Sequence, residues 1–220
     1  MVAGAGKTSQ LLKREAVLAK VLAEVNTPAA PPLTLVCETM GIGRSAVLSA
    51  VADELIRRNV TTLSSRVSHT ERTRPFALAD RLAMALGAPF DDSGASVVSR
   101  LAGVLTANRS ADRTLEVLLD DLQWIDSDSL GALVSLLPLL ANTSMKVVGT
   151  VRLPWPDAAG SNAMRQLREA GLVTVLRLRA LSQQAINTLV TPSCGPACPS
   201  TWRTPRGDPA GVRPARCTPR

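Results

Sequence analysis

The chain has 220 residues, 45% hydrophobic and 20% charged, with a formal net charge of +7. That length suits one domain with a proper core, and that balance excludes a disordered chain. No apolar run is long enough to span a bilayer, and Met1-Val2-Ala3-Gly4 lacks the charged-then-apolar layout of a signal peptide, so a cytoplasmic protein is expected.

Only 2% of the residues are aromatic, so aliphatic side chains must fill the core. The charge is concentrated at one end: the stretch from Thr191 carries a net +4 of the +7, which leaves the rest only mildly basic. Gly4-Ala5-Gly6-Lys7-Thr8 has the letters of a phosphate loop. Only Met1-Val2-Ala3 precede it, too little for the buried strand that must hold such a loop, so it is read as a decoy. Apolar residues at 11, 12, 18, 21 and 22 predict an amphipathic helix, ended by an extended linker over Asn26 to Pro32.

Leu33 to Leu48 carries the main signal. An apolar, β-branched run (Leu33, Leu35, Val36) leads into Gly41-Ile42-Gly43-Arg44-Ser45, and Ala46, Val47, Leu48, Val51 and Leu55 then follow a helical pattern. Strand, glycine turn, cation, hydroxyl and helix is the order of a phosphate-binding loop. Its backbone N–H groups face phosphate oxygens, the cation reaches the terminal phosphates and the hydroxyl reaches Mg²⁺. Against the pattern G-x-x-x-x-G-K-[ST], Glu38 stands at the first glycine and Arg44 at the lysine.

Further along, Ser45 to Arg58 reads as a helix, Val60 to Val67 as a strand, and Pro75 to Leu86 as a helix closed by Gly87. A turn over Asp91 to Ala95 precedes a short helix, Val97 to Leu105. Leu115 to Asp121 is a short apolar run ending in two carboxylates. Asp120 and Asp121 either cap the next turn or lie at the C-terminal edge of a buried strand, where ligands bind in open α/β sheets. Their position about seventy residues after the loop favours the Mg²⁺-binding acid and its neighbour. A helix over Ser129 to Leu140, a strand from Met145 to Arg152, a helix over Ala163 to Ala170 and a strand from Val173 to Leu178 follow. Ser182 caps a last helix, Gln183 to Val190. This alternation predicts a mainly parallel sheet.

From Thr191 seven prolines punctuate a stretch with almost no aliphatic residues, which predicts a disordered tail. Cys194 and Cys198 are read there as free thiols rather than metal ligands, because His69 is the chain's sole histidine and lies far away. Three regions are expected: an N-terminal helix and linker (1–32), a nucleotide-binding domain (33–190) and the tail (191–220).

Leu12-Lys13-Arg14-Glu15, the glycine loop, Arg74-Pro75-Phe76, Leu118-Leu119-Asp120-Asp121-Leu122-Gln123-Trp124-Ile125-Asp126, Gly149-Thr150-Val151-Arg152 and Leu181-Ser182 occur in that order. Together they resemble the N-terminal ATPase domain of large signal-transducing ATPases, the kind attached to LuxR-type transcriptional regulators and adenylate cyclases. The resemblance covers roughly residues 10–190, and Asp-Asp-Leu-Gln-Trp-x-Asp is its most specific part. It implies a three-layer α/β/α P-loop NTPase fold with a five-stranded sheet, one strand being added between the loop strand and the Asp120 strand. It also implies bound ATP and Mg²⁺. By motif match, Gly41, Ile42, Gly43, Arg44, Ser45 and Ala46 form the phosphate site, and Ser45 and Asp120 hold the metal. Asp121 polarises the attacking water, and Arg152 senses the γ-phosphate.

Two departures predict weak ATP binding and little or no hydrolysis. Arginine's planar fork docks differently from a lysine ammonium. A carboxylate at Glu38, a few ångströms from phosphate, costs on the order of 1 kcal/mol or more unless screened. The lid, repeat region and helix-turn-helix of such regulators do not follow, so the chain is read as truncated or frame-shifted after Val190. Its partners are then ATP and, through self-association or a regulatory protein, other chains; direct DNA binding is not expected. A scaffold that keeps the fold and binds no nucleotide is the alternative.

Overall fold

The computed structural model describes residues 15–38, 43–88, 96–108, 115–141 and 144–178, with the side chains of Glu38 and Asn108 excepted. They all fall in a compact unit, Met1–Leu181; a second unit, Ser182–Arg220, lies outside them. The readings for Gly4–Thr8, Gly41, Ile42, the Asp91–Ala95 turn, the helix after Ser182 and the tail therefore lie outside the described residues.

The described elements are α1 (Glu15–Asn26), β1 (Leu33–Glu38), α2 (Arg44–Arg57), β2 (Thr61–Arg66), α3 (Ala77–Ala85) and α4 (Val97–Asn108). They continue with β3 (Leu115–Asp120), α5 (Ser127–Leu140), β4 (Lys146–Arg152), α6 (Ala158–Glu169) and β5 (Val173–Arg177). Short 3-10 turns at His69–Glu71 and Leu122–Trp124 join them. Strand order is β2-β3-β4-β1-β5. Every described pairing is parallel, as a chain alternating strands with crossover helices requires. The fold is that of an α/β P-loop NTPase, and β4 is the strand added between the loop strand and the Asp120 strand.

Side chains alternate across the sheet with the period of two that extended backbone imposes. Leu35, Cys37, Val117, Leu119, Val147 and Val151 face a core shared with α3, α4, α5 and α6. Val36, Leu118 and Val148 face a smaller core filled by Val21, Leu22 and Val25 of α1 and by Val47, Val51 and Leu55 of α2. The sheet is thus covered on both faces, which explains why its central strands read as nearly continuous apolar runs.

Some boundaries differ from those the sequence predicts. Helix α6 starts at Ala158, five residues before the predicted Ala163, because Asp157 caps it by accepting from the Gly160 N–H at 2.8 Å. Helix α1 runs on to Asn26, where Thr27 returns its hydroxyl to the Ala23 carbonyl at 2.7 Å.

The N-terminal edge of the sheet carries a buried polar layer. Glu116 of β3 lies opposite Lys146 of β4, and the two are 0% and 2% exposed. The Lys146 ammonium donates to the carbonyls of Pro28 and Ala30 at 2.9 and 2.7 Å, tying down the linker between α1 and β1. Burial pushes the Glu116 carboxyl up to about 8, against the opposing pull of the Lys146 backbone N–H and ammonium. Burial also lowers Lys146, with Glu116 and Glu24 acting the other way.

A carboxyl raised in the folded state holds a proton that the unfolded chain releases. Its contribution is therefore intact below the unfolded pKa near 4.5 and is lost as pH rises through about 8. Glu116→Gln should remove that loss. In denaturant titrations across this window, the variant should gain on the order of 4 kcal/mol over the parent between pH 5 and 9, most of it below pH 8.

Candidate functional site

The C-terminal ends of β1, β3 and β4 meet at one edge of the sheet, and parallel pairing fixes their levels: Glu38 opposite Arg152, and Leu119 opposite Gly149. Helix α2 starts at this edge. Gly43 precedes it with φ +99°, a left-handed conformation that a side chain would strain. Gly43, the N-cap, has no side chain with which to cap the helix. The first-turn N–H groups of a helix form an anion-binding end.

Ser45, in that first turn, donates from Oγ to Oδ2 of Asp120 at 2.8 Å, across 75 residues of sequence. Thr150 at the end of β4 donates from Oγ1 to Oδ1 of the same carboxylate at 2.5 Å. Asp120 therefore has one oxygen on the loop helix and the other on the neighbouring strand. A hydroxyl and a carboxylate that converge in this way are hard oxygen donors of the type Mg²⁺ takes beside phosphate. The residues predicted for the metal are thus brought together.

Asp121 follows with φ 62°, ψ 41°, and its N–H donates to Thr150 Oγ1 at 2.9 Å. Its Oδ1 accepts from Gln123 Nε2 at 2.9 Å and lies 3.7 Å from Arg44 Nη2. Its Oδ2 accepts from both Nε and Nη2 of Arg66, at 3.0 and 2.8 Å. Burial acts to raise the Asp121 carboxyl. The Gln123 hydrogen bond, the Arg66 hydrogen bond and charge, and the Arg44 charge outweigh it, and the group is held below the ordinary aspartate value. Asp121 is anionic and fully engaged.

Arg44 is largely buried, and its guanidinium leans on Asp121. Arg152 closes β4, and its guanidinium lies 5.6 Å from the centre of the Trp124 ring. His69 meets the same ring edge-on at 4.5 Å. Ala46 sits half-buried in the first turn of α2, while Gly41 and Ile42 lie outside the described residues. Cys37 is buried one residue before the strand ends. Desolvation raises its thiol to about 11, against the charges of Arg168, Arg177 and Arg44, so it is an inert packing residue.

Sequence reasoning missed Arg66 and Gln123. Arg66 ends the strand next to β3, a position that only the strand order reveals. Gln123 lies within the Asp-Asp-Leu-Gln-Trp run, and its buried amide gives no signal until the 3-10 turn is seen. That turn is drawn onto the sheet through Gly149, where a Cβ would come within 2.5 Å of Leu122 Cδ1 and 2.7 Å of Leu35 Cδ2.

Asp126, the last residue of the same run, has a different task. Its Oδ1 accepts from the Ser129 N–H at 2.8 Å, capping α5, and from the Phe76 N–H at 2.9 Å. Phe76 takes a left-handed conformation to enter α3, and Ser129 Oγ accepts from Ala79 N at 3.0 Å. The Arg-Pro-Phe and Asp-Asp-Leu-Gln-Trp-Ile-Asp motifs therefore meet as a clamp between two helix starts.

The profile of the AAA ATPase domain matches residues 10–148. The chain belongs to this family. Among solved structures it is similar to Cdc6p from Pyrobaculum aerophilum, at 18% identity and a TM-score of 0.61, covering 82% of this chain and 48% of that one. It is similar to the Aeropyrum pernix ORC1 protein in complex with DNA, at 18% identity and a TM-score of 0.56, covering 81% and 48%. The Aeropyrum pernix ORC2 protein, in ADPNP and ADP complexes, matches at 15% identity and a TM-score of 0.54, covering 80% and 48%. The chain thus spans about half the length of these structures, and at such identities the likeness is one of fold. No curated protein matches it. Among the described residues, no helix of this AAA ATPase domain is long and apolar enough to cross a membrane.

Removing the Asp126 carboxylate leaves one buried and one half-buried N–H group without its acceptor. Asp126→Ala should cost about 2–4 kcal/mol of stability, read as a lowered denaturant midpoint with little change in slope.

Proposed function

We propose that this AAA ATPase domain is the ATP-binding regulatory domain of a larger signal-transducing regulator of the LuxR-linked type. In this reading it binds nucleotide weakly and hydrolyses it little or not at all. The observation that carries the reading is the 2.8 Å bond between Ser45 and Asp120, which joins the loop helix to the acid strand just after a left-handed glycine. Mg²⁺, when bound, would neutralise phosphate charge. The first-turn N–H groups from Arg44 to Ala46 receive phosphate, with the left-handed Gly43 leading the chain into them. Ser45 and Asp120 hold the metal, Thr150 fixes the acid's second oxygen, and Arg152 senses the γ-phosphate.

Weakness follows from the charges around Asp121. Arg44, the cation for the terminal phosphates, is shared with the carboxylate that is to polarise water. Arg66 and Gln123 draw further on that carboxylate, whose depressed basicity suits it poorly to accepting a proton. The same engagement supports the second reading, a scaffold of this fold that binds no nucleotide. A cytoplasmic setting, self-association and a regulatory protein partner belong to the first reading. DNA contact belongs to other domains of such a regulator.

Calorimetric titration with ATP decides between the two readings. Saturable binding that weakens at least about tenfold without Mg²⁺ is expected, and Ser45→Ala should erase most of that Mg²⁺ dependence. A flat titration at millimolar ATP would leave the scaffold. Arg44→Lys should tighten ATP binding about three- to tenfold, because a compact ammonium is less drawn to Asp121 than a guanidinium fork. Unchanged affinity in a folded variant would place the limit elsewhere, at Glu38 first.

A further inference from the structure

Gln123 is 3% exposed, and both ends of its side-chain amide are used. Nε2 donates to Asp121 Oδ1 at 2.9 Å, and Oε1 accepts from the Arg152 N–H at 3.0 Å. We propose that Gln123 is a positioning residue, a two-ended strut that sets Asp121 at the end of β3 and Arg152 at the end of β4 as one unit. This rests on the nucleotide-binding reading above and adds a residue and a coupling to it.

The chemistry of the position is restrictive. One end must donate to a carboxylate and the other must accept from a backbone N–H, at a span that only a primary amide of this length supplies. Glutamate could accept from Arg152 but would present an oxygen to Asp121. Methionine fills similar space and serves neither end. The strut is pressed against the sheet because Leu122 packs on Gly149, so the turn cannot drift from β4. The next residue, Trp124, lies under the Arg152 guanidinium, so the turn holds Arg152 by its backbone through Gln123 and by its side chain through Trp124. Thr150, two residues back on β4, accepts from the Asp121 N–H and donates to Asp120. The strands therefore exchange two independent ties: Thr150 serves the metal-side acid, and Gln123 serves the γ-phosphate sensor. Cutting the second should disturb the response to the γ-phosphate while leaving the contacts that ATP and ADP share.

The test is the ratio of Mg²⁺–ATP to Mg²⁺–ADP affinity in the full chain, measured by calorimetry, with thermal unfolding as the check on folding. The parent should prefer ATP. Gln123→Met should lower the ATP:ADP ratio at least about fivefold while ADP affinity stays within about twofold. Gln123→Glu, which keeps the acceptor for Arg152 but sets an oxygen against Asp121, should also lower the ATP:ADP ratio and serves if the methionine variant does not fold. Arg152→Ala should match Gln123→Met, and the double variant should lose no more than either alone. Equal loss of ATP and ADP affinity in the Gln123 variants would reduce Gln123 to a structural residue and overturn the strut, as would an unchanged ratio or additive losses. A parent that binds neither nucleotide would instead overturn the nucleotide reading on which the strut depends.

Discussion

The Asp120 carboxylate accepts one hydroxyl from the start of α2 and another from the end of β4. Both bonds require three strands to end at the same level and in the same direction, with β4 between β1 and β3. An antiparallel or reordered sheet would place Ser45 or Thr150 out of reach. The two-sided core supports that order, since β1, β3 and β4 each offer apolar side chains to both helix layers. Packing sets the geometry, and the polar edge inherits it.

Around this point the edge distributes a limited set of charges. Asp121 draws on Arg44 and Arg66, while Arg152 rests on an aromatic face. A lysine at position 44 would offer a shorter, more strongly hydrated cation with no planar fork to lay against a carboxylate. The altered loop and the crowded acid are therefore two sides of one electrostatic arrangement.

Much of the fold was legible because each signal was local. The apolar runs at Leu33, Leu115 and Lys146 give β-strands, and the periodic positions in Ala46–Leu55 and Leu130–Leu140 give helices that cover them. The loop hydroxyl, the acid pair and the Thr-Val-Arg strand end were likewise readable from residue type and order. The strand that carries Arg66 could be recognised, but not its place beside β3, because parallel pairings are settled by crossovers far apart in sequence. Gln123 was hidden for another reason: a glutamine next to a tryptophan reads as an ordinary turn until a glycine on another strand lets the turn lie flat. The start of α6 was misplaced because Asp157 follows a proline-rich stretch, and its capping role outweighs the late apolar periodicity.

The clamp at Asp126 bears on how such chains are recognised. The residues that make the signature most distinctive end in a side chain that fastens α3 to α5 and touches no part of the phosphate edge. Loss of that side chain would loosen α3 and α5 whether or not the sheet edge holds a nucleotide. A match at that last position therefore speaks for architecture, while Asp120 and Asp121, earlier in the same run, belong to the polar edge of the sheet.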